Sequence, residues 1–215
     1  MRFSMLPWSL FWLWVACGEK PTELAVINTD FGKTVVRFYD DVAPKHVESF
    51  KILVSQGYFD GTTFHRVIPG FVIQGGDPNT RDEDRANDGQ GGHAGKYYGI
   101  GDEEDPNTWQ LPAEFSKRRH VRGALSMARS DNPNSAGSQF FICVEPVFRL
   151  DGRYTVFGQI VEGMDFIDRI VNVDTPGKLD PNYQGRDKDN PLVPVPVTIR
   201  LSTDRELRIE IQGNS

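Results

Sequence analysis

Apolar and polar residues alternate in short runs along most of the chain. Residues 24–29 and 33–39 are rich in β-branched side chains and flank Asp-Phe-Gly at 30–32, which predicts a β-hairpin. Further strand-like runs lie at 62–68, 71–74, 123–128, 138–144, 155–161, 195–201 and 206–212. So many short strands, together with 21 glycines and 14 prolines, are typical of a mainly β protein with tight turns.

Two segments change to the period of a helix. Pro44 suits a first helical turn, apolar residues then recur at three- and four-residue steps, and Gly57 supplies a C-terminal stop. Residues 163–171 place a second apolar stripe on a short helix. Strands and helices together predict a closed eight-stranded antiparallel β-barrel capped by two α-helices, one over each mouth. Closure would remove exposed strand edges.

Two stretches are predicted to be loops. Residues 77–112 are rich in Gly, Asp and Asn, and residues 174–194 are rich in Pro, Asp and Lys. Both exceed the usual connection length, so we expect them to be functional or mobile. Residues 81–89 superficially suggest a calcium loop, but they lack the alternate ligands and the final glutamate of an EF-hand. We therefore expect no metal.

The first seventeen residues differ from the rest of the chain. An apolar stretch too short to span a bilayer follows Arg2 and ends at Ala16, which is the pattern of a cleavable signal. Cys17 directly after a small residue resembles a bacterial lipoprotein signal, in which the cysteine becomes the lipidated N-terminus, although Trp14 stands where such signals usually carry leucine. We expect a signal at 1–17, a linker at 18–23 and one domain at 24–212, lipid-anchored on the periplasmic side of a bacterial envelope. An ordinary secretory signal, giving a soluble periplasmic or secreted protein, is the alternative.

Charge and cysteine content narrow the class of protein further. The net charge is −6 and no basic run occurs, which argues against a nucleic-acid partner. We expect a monomer that contacts a membrane only through Cys17. Cys143 then has no disulfide partner, and its apolar neighbours predict a buried core position.

The candidate chemistry lies in two strand-like segments. Residues 63–77 contain Arg66 and Gln74 within an otherwise apolar strand pair, where an arginine is unusual. Stacking of Arg66 on an aromatic ring at a strand edge is an alternative explanation for its presence. In residues 137–142, alternation puts Gln139 and Phe141 on one face and gives the other face to the core. A phenyl ring beside an amide suits an apolar ring that carries a peptide group.

These segments resemble the cyclophilins. The similarity rests on Phe-His-Arg-Val-Ile-Pro-Gly-Phe at 64–71, Gln-Gly-Gly-Asp at 74–77, Met-Ala at 127–128, Gly-Ser-Gln-Phe-Phe-Ile at 137–142 and Leu-Asp-Gly-Arg-Tyr-Thr-Val-Phe-Gly at 150–158, in family order. It covers roughly residues 24–211 and implies a peptidyl-prolyl cis-trans isomerase that acts on proline-containing polypeptides and assists folding in the envelope.

The resemblance also implies the roles of individual residues. Arg66 would be catalytic and Gln74 would help to hold it. The proline pocket would be lined by Phe71, Val72, Phe141, Leu150 and Tyr154; Gln139 and the main chain of Ala128 would bind the peptide before the proline, and Met127 and His65 would support the wall. Strict strand alternation would put Phe71 and Val72 on opposite faces of the sheet. The placement of Phe71 in the pocket therefore depends on a bend at Gly70. The chain departs from the family pattern at Arg149 on the pocket rim, at Arg129 and at the small Val72, which puts sensitivity to cyclosporin-type ligands in doubt.

The implied reaction makes and breaks no covalent bond, so it requires no nucleophile, metal or cofactor. Two other functions are alternatives to this enzymatic one. One is a cyclophilin-like module that binds proline segments, as a chaperone does, with little turnover. The other is a structural envelope protein that uses the fold only as a scaffold.

Overall fold

The computed structural model describes residues 21–208 as a single antiparallel sheet with helices packed against it. The strands are β1 (Glu23–Thr29), β2 (Gly32–Phe38), β3 (Arg66–Ile68), β4 (Val72–Gly75), β5 (Ala124–Met127), β6 (Phe140–Cys143), β7 (Val156–Glu162) and β8 (Thr198–Thr203). The helices are α1 (Pro44–Ser55), α2 (Met164–Val171) and the single turns α3 (Pro176–Leu179) and α4 (Asp204–Leu207). The predicted mainly β class, the first hairpin and both longer helices are confirmed.

The sheet is open, so the prediction of a closed barrel is wrong. Its strand order is β3-β4-β6-β5-β7-β2-β1-β8, which leaves β3 and β8 at the two edges of a curled half-barrel. The chain before β8, and not β8 itself, covers β3: the Val67 amide donates to the Asp189 carbonyl at 2.8 Å and the Phe64 amide to the Val195 carbonyl at 3.1 Å. An irregular segment therefore protects this edge, which closure was expected to do.

Both longer helices bury their apolar stripe in one core. Phe50 of α1 is 0% exposed and contacts the rings of Phe38, Phe59, Phe140 and Phe157 at centroid distances of 5.9, 5.0, 5.6 and 5.4 Å. Ile167 and Ile170 of α2 join the same cluster. Pro44 begins α1, and Gly57 follows its end with φ of +67°, a conformation that glycine adopts at little cost.

The predicted strand at 206–212 is wrong where the structure describes it. Residues 204–207 form α4, which begins with a capping box: the Glu206 amide donates to the Thr203 hydroxyl, and the Thr203 amide donates to the Glu206 carboxylate. A reciprocal cap of this kind favours a helical start over continuation of the strand. Residues 209–212, and likewise the predicted signal with Cys17, lie outside the described part of the chain.

The two long loops are joined to each other. An Arg85 guanidinium nitrogen donates to the Pro191 carbonyl at 2.6 Å, and the Asn190 amide donates to Asp88 at 2.9 Å. Both loops include short helical turns, at Pro78–Arg81 and Pro106–Thr108 in the first and at α3 in the second. Their junction lies beside β3, so the path of residues 174–194 determines what surrounds that strand.

Candidate active site

The β3–β4 hairpin brings the first group of candidate residues together. Arg66 pairs with Gln74, and Ile68 pairs with Val72. A tight turn joins the strands: the Phe71 amide donates to the Ile68 carbonyl at 3.0 Å, and Gly70 has φ of +71°. Since Phe71 belongs to this turn, strand alternation does not constrain it. Phe71 and Val72 therefore line the same cavity.

Strand β6 contributes the second group. It lies beside β4, with Phe141 opposite Gln74. Phe140 and Ile142 point into the main core, whereas Phe141 belongs to a smaller cluster on the other face of the sheet. The alternation read from the sequence is confirmed here.

These strands form one wall of a cavity of about 170 Å³. Its lining residues are Arg66, Phe71, Val72, Gln74, Ala128, Arg129, Phe141, Leu150 and Tyr154. The Phe141 and Tyr154 rings meet edge to face with centroids 5.8 Å apart. A second cavity of about 330 Å³ shares Gln74, Ala128 and Arg129 with the first and includes Gln139. A slot with aromatic walls thus continues into a more polar groove.

The Arg66 guanidinium is held by its neighbours. Its Nη1 donates to the Gln74 side-chain oxygen at 3.3 Å, and its Nε lies 3.6 Å from the Asp189 carboxylate. Gln74 in turn donates to the Gln139 side-chain oxygen at 3.0 Å, and Gln139 donates to the Gly91 carbonyl at 2.7 Å. This chain of amides fixes the orientation of the guanidinium. The Arg66 side chain remains 40% exposed at the cavity mouth, where a docked peptide can reach it.

A buried histidine supports the floor of the cavity. His120 stacks on Phe141, with ring centroids 6.0 Å apart and an interplanar angle of 13°. Its Nδ1 lies 2.9 Å from Asp151 Oδ1, and its Nε2 lies 3.0 Å from the Ser126 hydroxyl. Burial lowers the pKa of His120, against the opposing effect of the Asp151 carboxylate. Sequence patterns gave no reason to select His120, because one polar residue between loop residues indicates no particular contact.

Two candidate residues line neither the slot nor the groove. Met127 is 2% exposed and belongs to the main core. His65 is 4% exposed and lines a separate cavity of about 40 Å³ that also includes Asp88. Burial lowers the pKa of His65 to about 4, with nearby Asp77 acting in the opposite sense. The predicted supporting role of these two residues stays a prediction.

Three further charged residues lie in or beside the cavity: Arg129 lines it, and Asp189 and Arg149 contact residues that do. Asp189 comes from the loop at 174–194 and pairs with Arg66. Arg129 lies over the Tyr154 ring, and Arg149 lies over the Phe71 ring, each with its guanidinium carbon 4.5 Å from the ring centroid. The resemblance marked both arginines as departures from the family pattern and put Arg149 at the rim of the pocket. No sequence pattern indicated that Asp189 contacts Arg66, because this contact depends on the path of a long loop.

Comparisons with known proteins place the chain in one family. The family model described as cyclophilin type peptidyl-prolyl cis-trans isomerase matches residues 24–198. A probable peptidyl-prolyl cis-trans isomerase of Brucella abortus is 43% identical over 155 residues, which cover 72% of this chain and 74% of that protein. A peptidyl-prolyl cis-trans isomerase of Synechococcus elongatus is 38% identical over 157 residues, covering 69% of this chain and 93% of that protein.

The fold has solved counterparts as well. A Cryptosporidium parvum cyclophilin type peptidyl-prolyl cis-trans isomerase, crystallised in the presence of the dipeptide Ala-Pro, superposes with a TM-score of 0.68 at 27% identity. The match covers 84% of this chain and 99% of that one.

Proposed function

Because the chain belongs to the family of cyclophilin-type peptidyl-prolyl cis-trans isomerases, we propose that its reaction takes place in the cavity between Arg66 and Phe141. The chain is a peptidyl-prolyl cis-trans isomerase, which favours turnover over a module that only binds proline segments. The observation that carries the proposed location is the Arg66 guanidinium at the mouth of the one slot that Phe71, Phe141 and Tyr154 also line.

The reaction has a barrier that originates in resonance. Rotation about the bond before proline crosses about 18–20 kcal/mol because that C–N bond is partly double. Uncatalysed exchange takes tens to hundreds of seconds. Turnover on the order of 10³ per second would need about 10⁵-fold acceleration, or ~7 kcal/mol off the barrier. The group to be stabilised is a twisted amide, whose nitrogen regains a lone pair.

Arg66 is the residue proposed to stabilise that twisted amide. Its Nη2 has no hydrogen-bond partner within residues 21–208, while Nη1 and Nε face Gln74 and Asp189. A guanidinium fixed in this way can donate to the prolyl nitrogen, or to the moving carbonyl oxygen, more strongly in the twisted state than in either planar state. Gln74 and Asp189 act as positioning residues, since each contacts the Arg66 guanidinium.

The apolar walls have a separate task. Phe71, Phe141 and Tyr154 would hold the proline ring while the preceding peptide group turns, with Val72 and Leu150 completing the slot. Once a peptide covers the mouth, the hydrogen bond from Arg66 lies in a medium less polar than water and becomes stronger.

The groove beside the slot is proposed to bind the residues before the proline. The Ala128 amide already donates to the Gln139 carbonyl at 2.9 Å, which leaves the Ala128 carbonyl to accept a hydrogen bond from the client backbone. Gln139 lines the same groove with its side chain. A substrate is then bound on both sides of the rotating bond, so that only the link itself has to turn.

The proposal is tested by NMR exchange spectroscopy on an Ala-Ala-Pro-Phe peptide with Arg66→Lys. Lysine keeps the positive charge but lacks the planar fork that can bond Gln74 and the amide together, so we expect exchange at least about tenfold slower than in the unaltered protein. Arg118→Lys is the matched control, because Arg118 pairs with Asp41 and lines neither the slot nor the groove. Equal rates for the two variants would remove the guanidinium from the mechanism.

The chain is further proposed to act on proteins that fold in a bacterial envelope, held there by a lipid on Cys17. The support is the apolar segment that ends at Ala16-Cys17. Within residues 21–208, the helices are too short or too polar to cross a bilayer. Mass spectrometry of the mature N-terminus tests the proposal: a diacylated Cys17 that is lost in Cys17→Ser would support it, whereas an unmodified terminus elsewhere would favour an ordinary secretory signal.

A further inference from the structure

The proline slot has an uncompensated positive rim in a chain of net charge −6. Of the three arginines at the slot, only Arg66 pairs with a carboxylate. Arg129 and Arg149 form no ion pair with any acidic residue that the structure describes, although other arginines such as Arg122 and Arg200 do. Neither Arg129 nor Arg149 is therefore neutralised by a neighbouring carboxylate within residues 21–208.

The two unpaired arginines differ in the donors that they leave free. Arg129 donates to the carbonyls of Arg153, Ser130 and Asp131 through Nε, Nη1 and Nη2, so it is committed to holding its own loop. The Arg149 guanidinium stacks 4.5 Å from the Phe71 centroid and has no hydrogen-bond partner within residues 21–208. All its donors are therefore available to a ligand, and the ring beneath limits its orientation.

The position of Arg149 indicates which part of a client it would meet. The groove proposed for residues before the proline extends from Ala128 to Gln139, and Arg149 does not line it. Arg149 lies instead on the Phe71 wall of the slot. Because Phe71 lines the slot but not the groove, we infer that a chain entering through the groove with its proline in the slot leaves past this wall.

We propose that Arg149 is a specificity-determining residue that binds the carboxylate of an aspartate or glutamate directly following the proline. This inference rests on the proposed location of the reaction. The preferred substrates are then Xaa-Pro-Asp and Xaa-Pro-Glu segments. A planar guanidinium can bind such a carboxylate through two hydrogen bonds, whereas a lysine client residue would be repelled.

The test is the catalysed exchange rate of three blocked peptides, Ala-Ala-Pro-Glu, Ala-Ala-Pro-Gln and Ala-Ala-Pro-Lys, measured by NMR at 20 mM and 500 mM salt. For an exposed ion pair we expect kcat/KM about three- to fivefold higher for the Glu than for the Gln peptide at low salt, lower for the Lys peptide, and a difference that shrinks at high salt. In Arg149→Gln the ratio of Glu to Gln peptide should fall to about 1. Lys45→Gln, which removes one charge from α1 away from both cavities, should keep the ratio of the unaltered protein.

A Glu preference that persists in Arg149→Gln would overturn the inference, as would equal rates for all three peptides in the unaltered protein. A fourth peptide, Glu-Ala-Pro-Gln, should show no such preference, and a preference for it instead would mean that the carboxylate site lies before the proline. If the unaltered protein accelerates none of the peptides, the proposed reaction fails first. If it accelerates all the peptides at the same rate, the proposed reaction is supported and only the role of Arg149 is refuted.

Discussion

Replacing His65 with glutamine removes a titrating side chain from the interior, and this should change how stability depends on pH. Burial lowers the pKa of His65 to about 4 from an ordinary value of 6.5. Between these two values the unfolded chain binds a proton that the folded chain does not, so stability is lost as the pH falls. Linkage gives a loss of about 2 kcal/mol between pH 7 and 5, and of about 3 kcal/mol by pH 4.

Asp88 lines the same small cavity and acts in the opposite sense. Burial, together with Asp77, raises the pKa of Asp88 to about 6. Its folded form binds a proton more tightly than its unfolded form, so its contribution to stability decreases as the pH rises from about 4 to 6. The two residues partly cancel in the unaltered protein. The difference between that protein and His65→Gln isolates the histidine.

The assay is urea unfolding of both proteins at pH 5, 6 and 7, followed by tyrosine fluorescence and circular dichroism. We expect the free energy of unfolding of His65→Gln, relative to the unaltered protein, to rise by about 2 kcal/mol from pH 7 to pH 5. Because each comparison is made at one pH, any constant effect of the substitution on packing drops out. Parallel pH profiles for the two proteins would refute the argument that His65 is held neutral by burial.

Three further outcomes follow from the same structure. Asp189→Asn should lower kcat about two- to fivefold with little change in KM or Tm, as expected for loss of one exposed positioning contact; a rate equal to that of Asp187→Asn in the same loop would argue against it. Phe50→Ala should reduce the free energy of unfolding by about 3–5 kcal/mol in urea titrations, because it removes a buried ring from between four others, and a loss below 1 kcal/mol would contradict this packing. Burial raises the pKa of Cys143 to about 12, so mass-mapped alkylation at pH 8 should leave it unmodified until the protein unfolds, and rapid labelling of the native state would count against its burial.

Local pattern was enough to predict several elements of the fold and one wall of the slot. Periodicity and turn residues predict the hairpin formed by β1 and β2, helix α1, and the face of β6 on which Phe141 lies. Each of these features depends only on residues close together in the sequence. The bend at Gly70 was also predicted from the sequence. Its positive φ forms the turn that frees Phe71 from strand alternation.

The predictions that failed, and the contacts that were missed, depend on parts of the chain that are distant in sequence. Closure of the sheet was predicted because edges must be covered. Irregular chain before β8 covers this edge instead, at Asp189 and at Val195, although a strand was predicted to begin at Val195. Every residue of β5 is buried, because both faces of the sheet are covered there, so alternation could not show that Met127 faces the main core. The Asp189–Arg66 pair depends on where a long loop runs, which no local pattern contains.

The most direct test of the account separates binding from rotation in Arg66→Ala. One NMR sample with an Ala-Ala-Pro-Phe peptide gives both the dissociation constant, from shift changes of Phe141 and Tyr154, and the exchange rate between cis and trans forms. The account predicts exchange slower by about 100-fold or more, which corresponds to about 3 kcal/mol of lost transition-state stabilisation, with Tm and peptide affinity changed little because the slot walls remain. Unaltered exchange at saturating peptide would contradict the claim that the Arg66 guanidinium stabilises the twisted amide.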